Sequence, residues 1–581
     1  MVDMLSTPVP TRRILALVTS LLLAGCATTP QQTVSAPTAP SAPALYDEGM
    51  VSAADPRAAQ AGAEILRRGG SATDAAIATM LALNVVEPQS SGIGGGGFLV
   101  LGDAAGRIET WDGRETAPKA ATPKRFLDAS GQPLPFRTAV IGGLSVGVPG
   151  NLAMAAKAHA SHGRLPWAAL FEPAIRLARD GFALSPRGFR SLSTQPETGA
   201  HDPQARAIFY GVNGEPLPVG TTIRNPALAK TLEMLAAKGA KGLSSGPLAQ
   251  EIAAKVAAQT PQDGKMTAAD IAGFVAKQRP GVCGTYRVYR ICGMGPPSSG
   301  ATTVLATLIQ LERFDLTALG PDSPTAWHLI AESERLAYAD RDVFLADPDF
   351  EKVPVDALLD RAYLARRGAL ISPDTTIPKV TAGLPAPKLT LGSGPPEHGT
   401  SHFVVIDRQG DVASWTSTIE SPFGSGIMVG GFYLNNELTD FSFVPQKDGA
   451  LVANRVEGGK RPRSSMAPTI VYGPDGKLLM VVGAAGGATI PVQVIRALIG
   501  VLDWKLPVDK ALALPVLFAP GDMVMVEKGS RLEAMIPALT TLGHTAIKAA
   551  DMPLKTNAVV VSGGTLVGAG DPRSEGVAVT Q

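Results

Sequence analysis

The order of apolar and polar positions changes character near residue 400. Before it, the pattern is helical. Asp55-Pro56 has the form of a helix start, and Gly69-Gly70 that of its stop. Residues 71–86 read as a second, largely apolar helix. A glycine run, Gly92 to Gly97, then feeds the apolar strand 98–101. Further helices are predicted around 151–162, 166–180, 227–237 and 247–258, then over 296–311 and 325–346. After residue 400 the pattern becomes one of strands joined by tight turns. Residues 402–407 and 411–419 flank Arg408-Gln409-Gly410, 469–472 and 478–482 flank Pro474-Asp475-Gly476, and 558–561 and 565–567 flank Gly563-Gly564. These are hairpin signals. One helix, 491–502, lies between them, and no internal repeat is visible. Helices in front and hairpins behind predict a layered α+β fold, with helices covering paired antiparallel sheets.

Composition adds exclusions. The 581 residues are 45% hydrophobic and 18% charged, with a formal net charge of +1. That balance offers no basic surplus for nucleic acid and no acidic tail. At the N-terminus, Arg12 and Arg13 precede the apolar run 14–23 and then Ala24-Gly25-Cys26. This is the form of a secretory signal, 1–25, too short to span a bilayer as a mature helix. Its ending, 23–26, resembles a bacterial lipobox, which would make Cys26 the lipidated first residue of the mature chain. The alternative is an ordinary signal with a fortuitous cysteine. Residues 27–44, rich in Thr, Pro, Ala, Ser and Gln, suit a flexible tether. The expected location is the periplasmic face of a bacterial envelope, touching the membrane only through the lipid. Ala27 after the cysteine favours the outer membrane. Cys283 and Cys292 would share that oxidising compartment, as a disulfide or as two buried free thiols.

Three strings are set aside. Gly92-x-Gly94-x-x-Gly97 matches a dinucleotide fingerprint but precedes a strand instead of following one. Gly143-Leu144-Ser145-Val146-Gly147 matches the serine-hydrolase elbow but runs into Pro149-Gly150 with no strong strand before it. The seven His form no metal-spaced cluster, and His402 reads as structural. No metal site is predicted.

The chemistry centres on Gly399-Thr400-Ser401-His402, which opens the first hairpin. A threonine hydroxyl needs a base, and a chain cut just before it frees an α-amino group that can be that base. The reference pKa of such an amine, about 7.7–8.0, leaves a substantial neutral fraction at neutral pH. Gly399 offers least resistance to the hydroxyl attacking its carbonyl. A three-residue turn with Gly410 in the left-handed position would pair Asp407 with Asp411 and set Thr400 opposite Thr418. Strand alternation then puts Thr418 and Glu420 on one face.

Several long motifs carry a resemblance, in order, over about 45–581. They are Gly92 to Phe98, Asp112-Gly113-Arg114-Glu115-Thr116-Ala117-Pro118, Pro296 to Gly300, Ala337-Tyr338-Ala339-Asp340-Arg341, Thr400 to Ser442, Lys460 to Thr469, Gly483 to Gly487 and Gly570-Asp571-Pro572-Arg573. The sequence resembles the gamma-glutamyltranspeptidases, and 400–581 their small subunit. The resemblance implies a four-layer αββα sandwich of the N-terminal-nucleophile hydrolase type. It implies self-cleavage between Gly399 and Thr400, giving a helix-rich large subunit, 45–399 after the tether, and a strand-rich small one, 400–581. Thr400 would be the nucleophile and Thr418 would orient it. The N–H groups of Gly486 and Gly487 would form the oxyanion hole. Arg114, Ser464 and Ser465 would bind the donor's α-carboxylate, while Glu437 and Asp440 would take its α-ammonium. The implied reaction cleaves γ-glutamyl amides such as glutathione through a γ-glutamyl ester, passing the acyl group to water, an amino acid or a peptide. It needs no cofactor.

Two departures touch donor recognition. The Asn found in many members two residues past the second threonine is Glu420 here, and the segment between Asp440 and Ser464 is short and contains no Tyr. The alternatives are a glutaryl-type acylase on the same scaffold, like the cephalosporin acylases, and a processed but inactive binding protein.

Overall fold

A computed structural model describes residues 44–261, 264–385, 399–447 and 449–581. The signal, Cys26 and all but the last residue of the tether lie outside these, as does the stretch 386–398 before Gly399. Ala44 to Gln581 form one unit. Its main strands are β1 (Met50–Ala53), β2 (Gly96–Gly102), β3 (Ile108–Asp112), β4 (Lys277–Arg279), β5 (Val282–Tyr286), β6 (Tyr289–Gly293), β7 (Gly399–Ile406), β8 (Val412–Glu420), β9 (Thr469–Tyr472), β10 (Leu478–Ala485), β11 (Lys555–Ser562), β12 (Thr565–Gly570) and β13 (Val577–Thr580). They form two sheets, one ordered β13-β1-β7-β8-β2-β3-β4 and the other β12-β11-β10-β9-β6-β5. Every pairing within both is antiparallel.

Side-chain alternation along β7 explains the layering. Val404 and Ile406 pack with Ile470, Met480 and Val482 between the sheets. Phe403 and Val405 face the opposite way, onto Ile77 and Leu81 of a buried helix. That helix, α2 (Ala72–Val86), is buried along its whole length, and with α1 (Pro56–Arg67) it covers the first sheet. Asp55 caps α1 by accepting from the Arg57 N–H, and Ser71 with Asp74 forms a capping box on α2. On the far side, α3 (Gly300–Leu311) and α5 (Ile490–Leu502) pack on the second sheet, and α4 (Pro324–Phe344) packs on α3. The layers run helix, sheet, sheet, helix, as the resemblance implies.

Local differences have local causes. The helix predicted from residue 296 begins at Gly300. Pro296 and Pro297 carry no N–H, and the Ser299 N–H is drawn off to the Ser464 carbonyl at 2.8 Å. The predicted helix 166–180 divides into a 3₁₀ turn, Trp167–Phe171, and a helix, Glu172–Asp180. Cys283 and Cys292 sit opposite each other on β5 and β6 and are joined in a disulfide.

Candidate active site

The first hairpin has the expected turn and register. The Asp407 N–H donates to Asp411 O at 3.0 Å, Gly410 has φ 84°, and Thr400 lies opposite Thr418. Both threonines are buried. Thr400 Oγ1 lies 2.6 Å from the Gly399 carbonyl oxygen and 3.2 Å from Thr418 Oγ1. The Thr418 hydroxyl is 2.6 Å from that same oxygen and accepts from the Glu420 N–H at 2.8 Å. One carbonyl thus receives two hydroxyls, one from its own following residue and one from across the ladder.

Alternation fails one step later. A bulge interrupts the ladder between Thr418 and Glu420, and Glu420 opposes Gly399 with φ 74°. Glu420 is therefore not placed by the strand pleat beside Thr418. Its Oε2 accepts from Ser421 Oγ and from Asn436 Nδ2.

The expected donor-head residues come together, with their own partners in one another. Arg114 follows β3, and its guanidinium pairs with Glu437 through Nη1 and with Asp440 through Nη2. It also donates to Pro462 O at 3.2 Å and Arg463 O at 2.9 Å. Glu437 and Asp440 belong to a short 3₁₀ turn, Glu437–Asp440. Asn435 anchors that turn by binding Gly94 O at 2.8 Å and Gly147 O at 2.9 Å while accepting from the Glu437 N–H at 3.0 Å. Burial raises Glu437 well above the usual carboxylate range and also raises Asp440, outweighing the opposing Arg114 charge. Glu115, enclosed above Gly96, is pushed up to about 8 by burial. Ser464 and Ser465 follow Arg463 in the chain and are buried. Ser464 Oγ accepts from the Met466 N–H, while Ser465 Oγ accepts from Arg341 Nη2 at 2.6 Å.

Gly486 and Gly487 follow β10 with φ 129° and 60°. A Cβ on Gly486 would come 2.3 Å from Pro553 O, so a bare backbone is required there. The end of β10 lies beside the nucleophile. Ala485 pairs with Lys555, whose Nζ is 3.2 Å from Thr400 O.

Lys555, Glu87, Glu115 and Arg341 were not singled out from sequence. Lys555 and Glu87 are 468 positions apart and form a buried ion pair at 2.6 Å. The only sequence trace is a charged residue at the end of each of two apolar segments. His402 is structural, as expected. It is enclosed, its Nδ1 lies 2.9 Å from Thr416 Oγ1, and burial pushes its pKa down to about 3. Spacing alone did not reveal that the fold gathers His328, Glu332 and His544 within ligand distance of one another. Their ring and carboxylate atoms are engaged: His328 Nδ1 with His544 Nε2 at 2.8 Å, and Glu332 with Arg335 and the Ile377 N–H.

The layered architecture is that of the N-terminal-nucleophile hydrolases, and Thr400 stands near the head of the central strand β7. The gamma-glutamyltranspeptidase family profile matches residues 58–581. A glutathione hydrolase proenzyme of Escherichia coli (strain K12) is 36% identical over 92% of this chain and 91% of its own. One from Bacillus subtilis (strain 168) is 38% identical over 82% and 83%. A cephalosporin acylase structure from Bacillus halodurans superposes with TM-score 0.80 at 26% identity, covering 94% of this chain and 98% of that one. The chain belongs to the gamma-glutamyltranspeptidase family.

Proposed function

We propose that this protein is a self-processing enzyme that cleaves γ-glutamyl amides, with Thr400 serving first its own maturation and then catalysis. The observation that carries this is the convergence of two hydroxyls on the Gly399 carbonyl. Attack of Thr400 Oγ on the Gly399 carbon would push charge onto an oxygen already facing the Thr418 hydroxyl. The C–N bond then breaks, the proton passes to the nitrogen, and Gly399 is left as an ester on Thr400. Water hydrolyses the ester, giving a Gly399 carboxylate and a free Thr400 amine. In the mature enzyme that amine takes the Thr400 proton as the hydroxyl attacks the γ-carbonyl of the donor. Gly486 and Gly487 would hold the resulting oxyanion. Water or an acceptor amine then takes the γ-glutamyl group, with the large segment to 399 and the small segment 400–581 as two subunits of one precursor.

The donor's head group follows from the charges. Arg114 already holds two carboxylates, so a zwitterionic head would enter by exchange. Its carboxylate takes the guanidinium, and its ammonium takes Glu437 and Asp440. A glutaryl head lacks the ammonium and would leave these acids unpaired, which favours γ-glutamyl donors over the acylase reading. We assign Cys26 as a lipid anchor and place the protein on the periplasmic face of the outer membrane, from the leader alone. Mass spectrometry of the purified protein tests the core of the reading. Two chains divided at Gly399/Thr400 are expected, and Thr400→Ala should stay whole and inactive. An active enzyme that runs as one uncut chain would overturn it.

A further inference from the structure

β1 ends at Ala53, opposite Phe403, so the first residues of β7 have no strand on that edge. Two side chains from β11 stand in for it. Asn557 Nδ2 donates to His402 O at 3.0 Å, and Lys555 Nζ to Thr400 O at 3.2 Å. The two carbonyls are two residues apart and therefore point the same way. Lys555 Nζ spends its other two N–H groups on Ser401 Oγ at 3.0 Å and Glu87 Oε2 at 2.6 Å. Ser401 Oγ in turn donates to Glu87 Oε2 at 2.7 Å. All three ammonium donors are satisfied, and both charged side chains are enclosed.

We propose that Lys555 is a positioning residue for the nucleophile: its ammonium, held by Glu87, fixes the Thr400 carbonyl after the cut and biases the new α-amine toward its neutral, basic form. This rests on Thr400 being the nucleophile. Cleavage removes the chain before Thr400, so the residue is then held by β8 on one edge and by Lys555 on the other. A positive charge on the carbonyl of an amino-terminal residue lies within that residue's own span of its amine, and it disfavours a second positive charge there. The other charges around this cluster are Glu87 at the end of α2, Arg187 with Nε 3.9 Å from Glu87, Asp55 at the head of α1 with its partner Arg57, and Glu420 at the end of β8. Glu87 works against Lys555 but stands behind it, reaching the nucleophile strand through Lys555 and Ser401.

The test is the pH dependence of kcat per active site, counted by the burst of aniline from a γ-glutamyl anilide. Wild type, Lys555→Met and the double variant Glu87→Gln/Lys555→Met are compared from pH 5 to 9. At an effective dielectric near 20, a unit charge roughly 6 Å from the amine moves the acid limb upward by about two pH units in Lys555→Met and about half that in the double variant. KM should stay within about twofold of wild type, because the contact is to the enzyme's own backbone. The ranking wild type, double, single is a signature of charge that lost packing would not give. Superimposed profiles, or equal shifts in both variants, would overturn the proposal. If Lys555→Met does not accumulate, the double variant, which leaves no buried charge unpaired, decides by whether its limb lies above wild type. Failure of the catalytic reading looks different: Thr400→Ala would then cleave itself and turn over, whatever Lys555 does.

Discussion

Arg114→Met perturbs the site where its electrostatics are most concentrated. The guanidinium is 1% exposed and joins Glu437, Asp440 and two backbone carbonyls. Removing one partner of a buried ion pair costs roughly 3–5 kcal/mol, because the other partner is left charged and unsolvated. The orphaned acids have one escape, which is to bind protons. Glu437 and Asp440 are already raised by burial with Arg114 present, and losing that charge raises them further. Their folded pKa values then lie above the unfolded ones, so the folded state binds more protons between the two. The variant's stability must fall as pH rises through that window. The deficit against wild type should therefore be larger at pH 8 than at pH 5. Calorimetric unfolding of both proteins at the two pH values measures it. In parallel, losing a charge-assisted contact of about 1.5–3 kcal/mol should raise KM roughly tenfold to a hundredfold, with kcat nearly unchanged. A deficit equal at both pH values would refute the orphaned-acid reasoning. A normal KM with collapsed kcat would refute the assignment of Arg114 to the donor's carboxylate.

Four further outcomes are expected. Thr418→Val should slow self-cleavage by about 10²–10³-fold, as for loss of one oxyanion donor, in a time course on denaturing gels; cleavage at the normal rate would remove Thr418 from that step. Glu420→Asn should narrow the preference for γ-glutamyl over glutaryl anilide, and a wild type that turns over the glutaryl compound faster would promote the acylase reading. Cys26→Ser should shift the protein out of the membrane fraction, and unchanged fractionation would refute the anchor. Replacing Cys283 and Cys292 by Ser should lower stability by about 2–4 kcal/mol while sparing turnover, because the bridge joins β5 to β6 and neither strand carries a site residue. Equal unfolding temperatures would refute that.

How much was legible depended on the range of the interaction. The pairing of Thr400 with Thr418 followed from counting residues back from one turn, and strand geometry enforced it. Glu420 broke the same count because the bulge after Thr418 leaves no mark in the residue pattern, a non-glycine residue there taking φ 74°. Arg114, Glu437 and Asp440 were legible as residues but not as partners. Each was assigned to an opposite end of the donor, and only the fold showed that they neutralise one another before any donor arrives. Lys555 and Glu87 each stand at the end of an apolar segment, but neither periodicity nor spacing links residues so far apart as partners.

The order of strands has a consequence for the life of the mature enzyme. β13, near residue 581, lies on β1, the first strand among the described residues, and Gln581 donates to Gly49 O and Leu66 O. β1 in turn is enclosed between β13 and β7, while β8 pairs with β2. Segments from both sides of residue 400 therefore alternate within one sheet and share both large cores. Before cleavage, refolding is a unimolecular search. Afterwards it requires two separate polypeptides to meet and interleave, at a rate set by their concentration and in competition with aggregation of the exposed strands. The cut thus works as a ratchet: the enzyme's lifetime passes from an equilibrium to an unfolding rate. Heat-treated mature enzyme should not regain activity under conditions where uncut Thr400→Ala regains its fold.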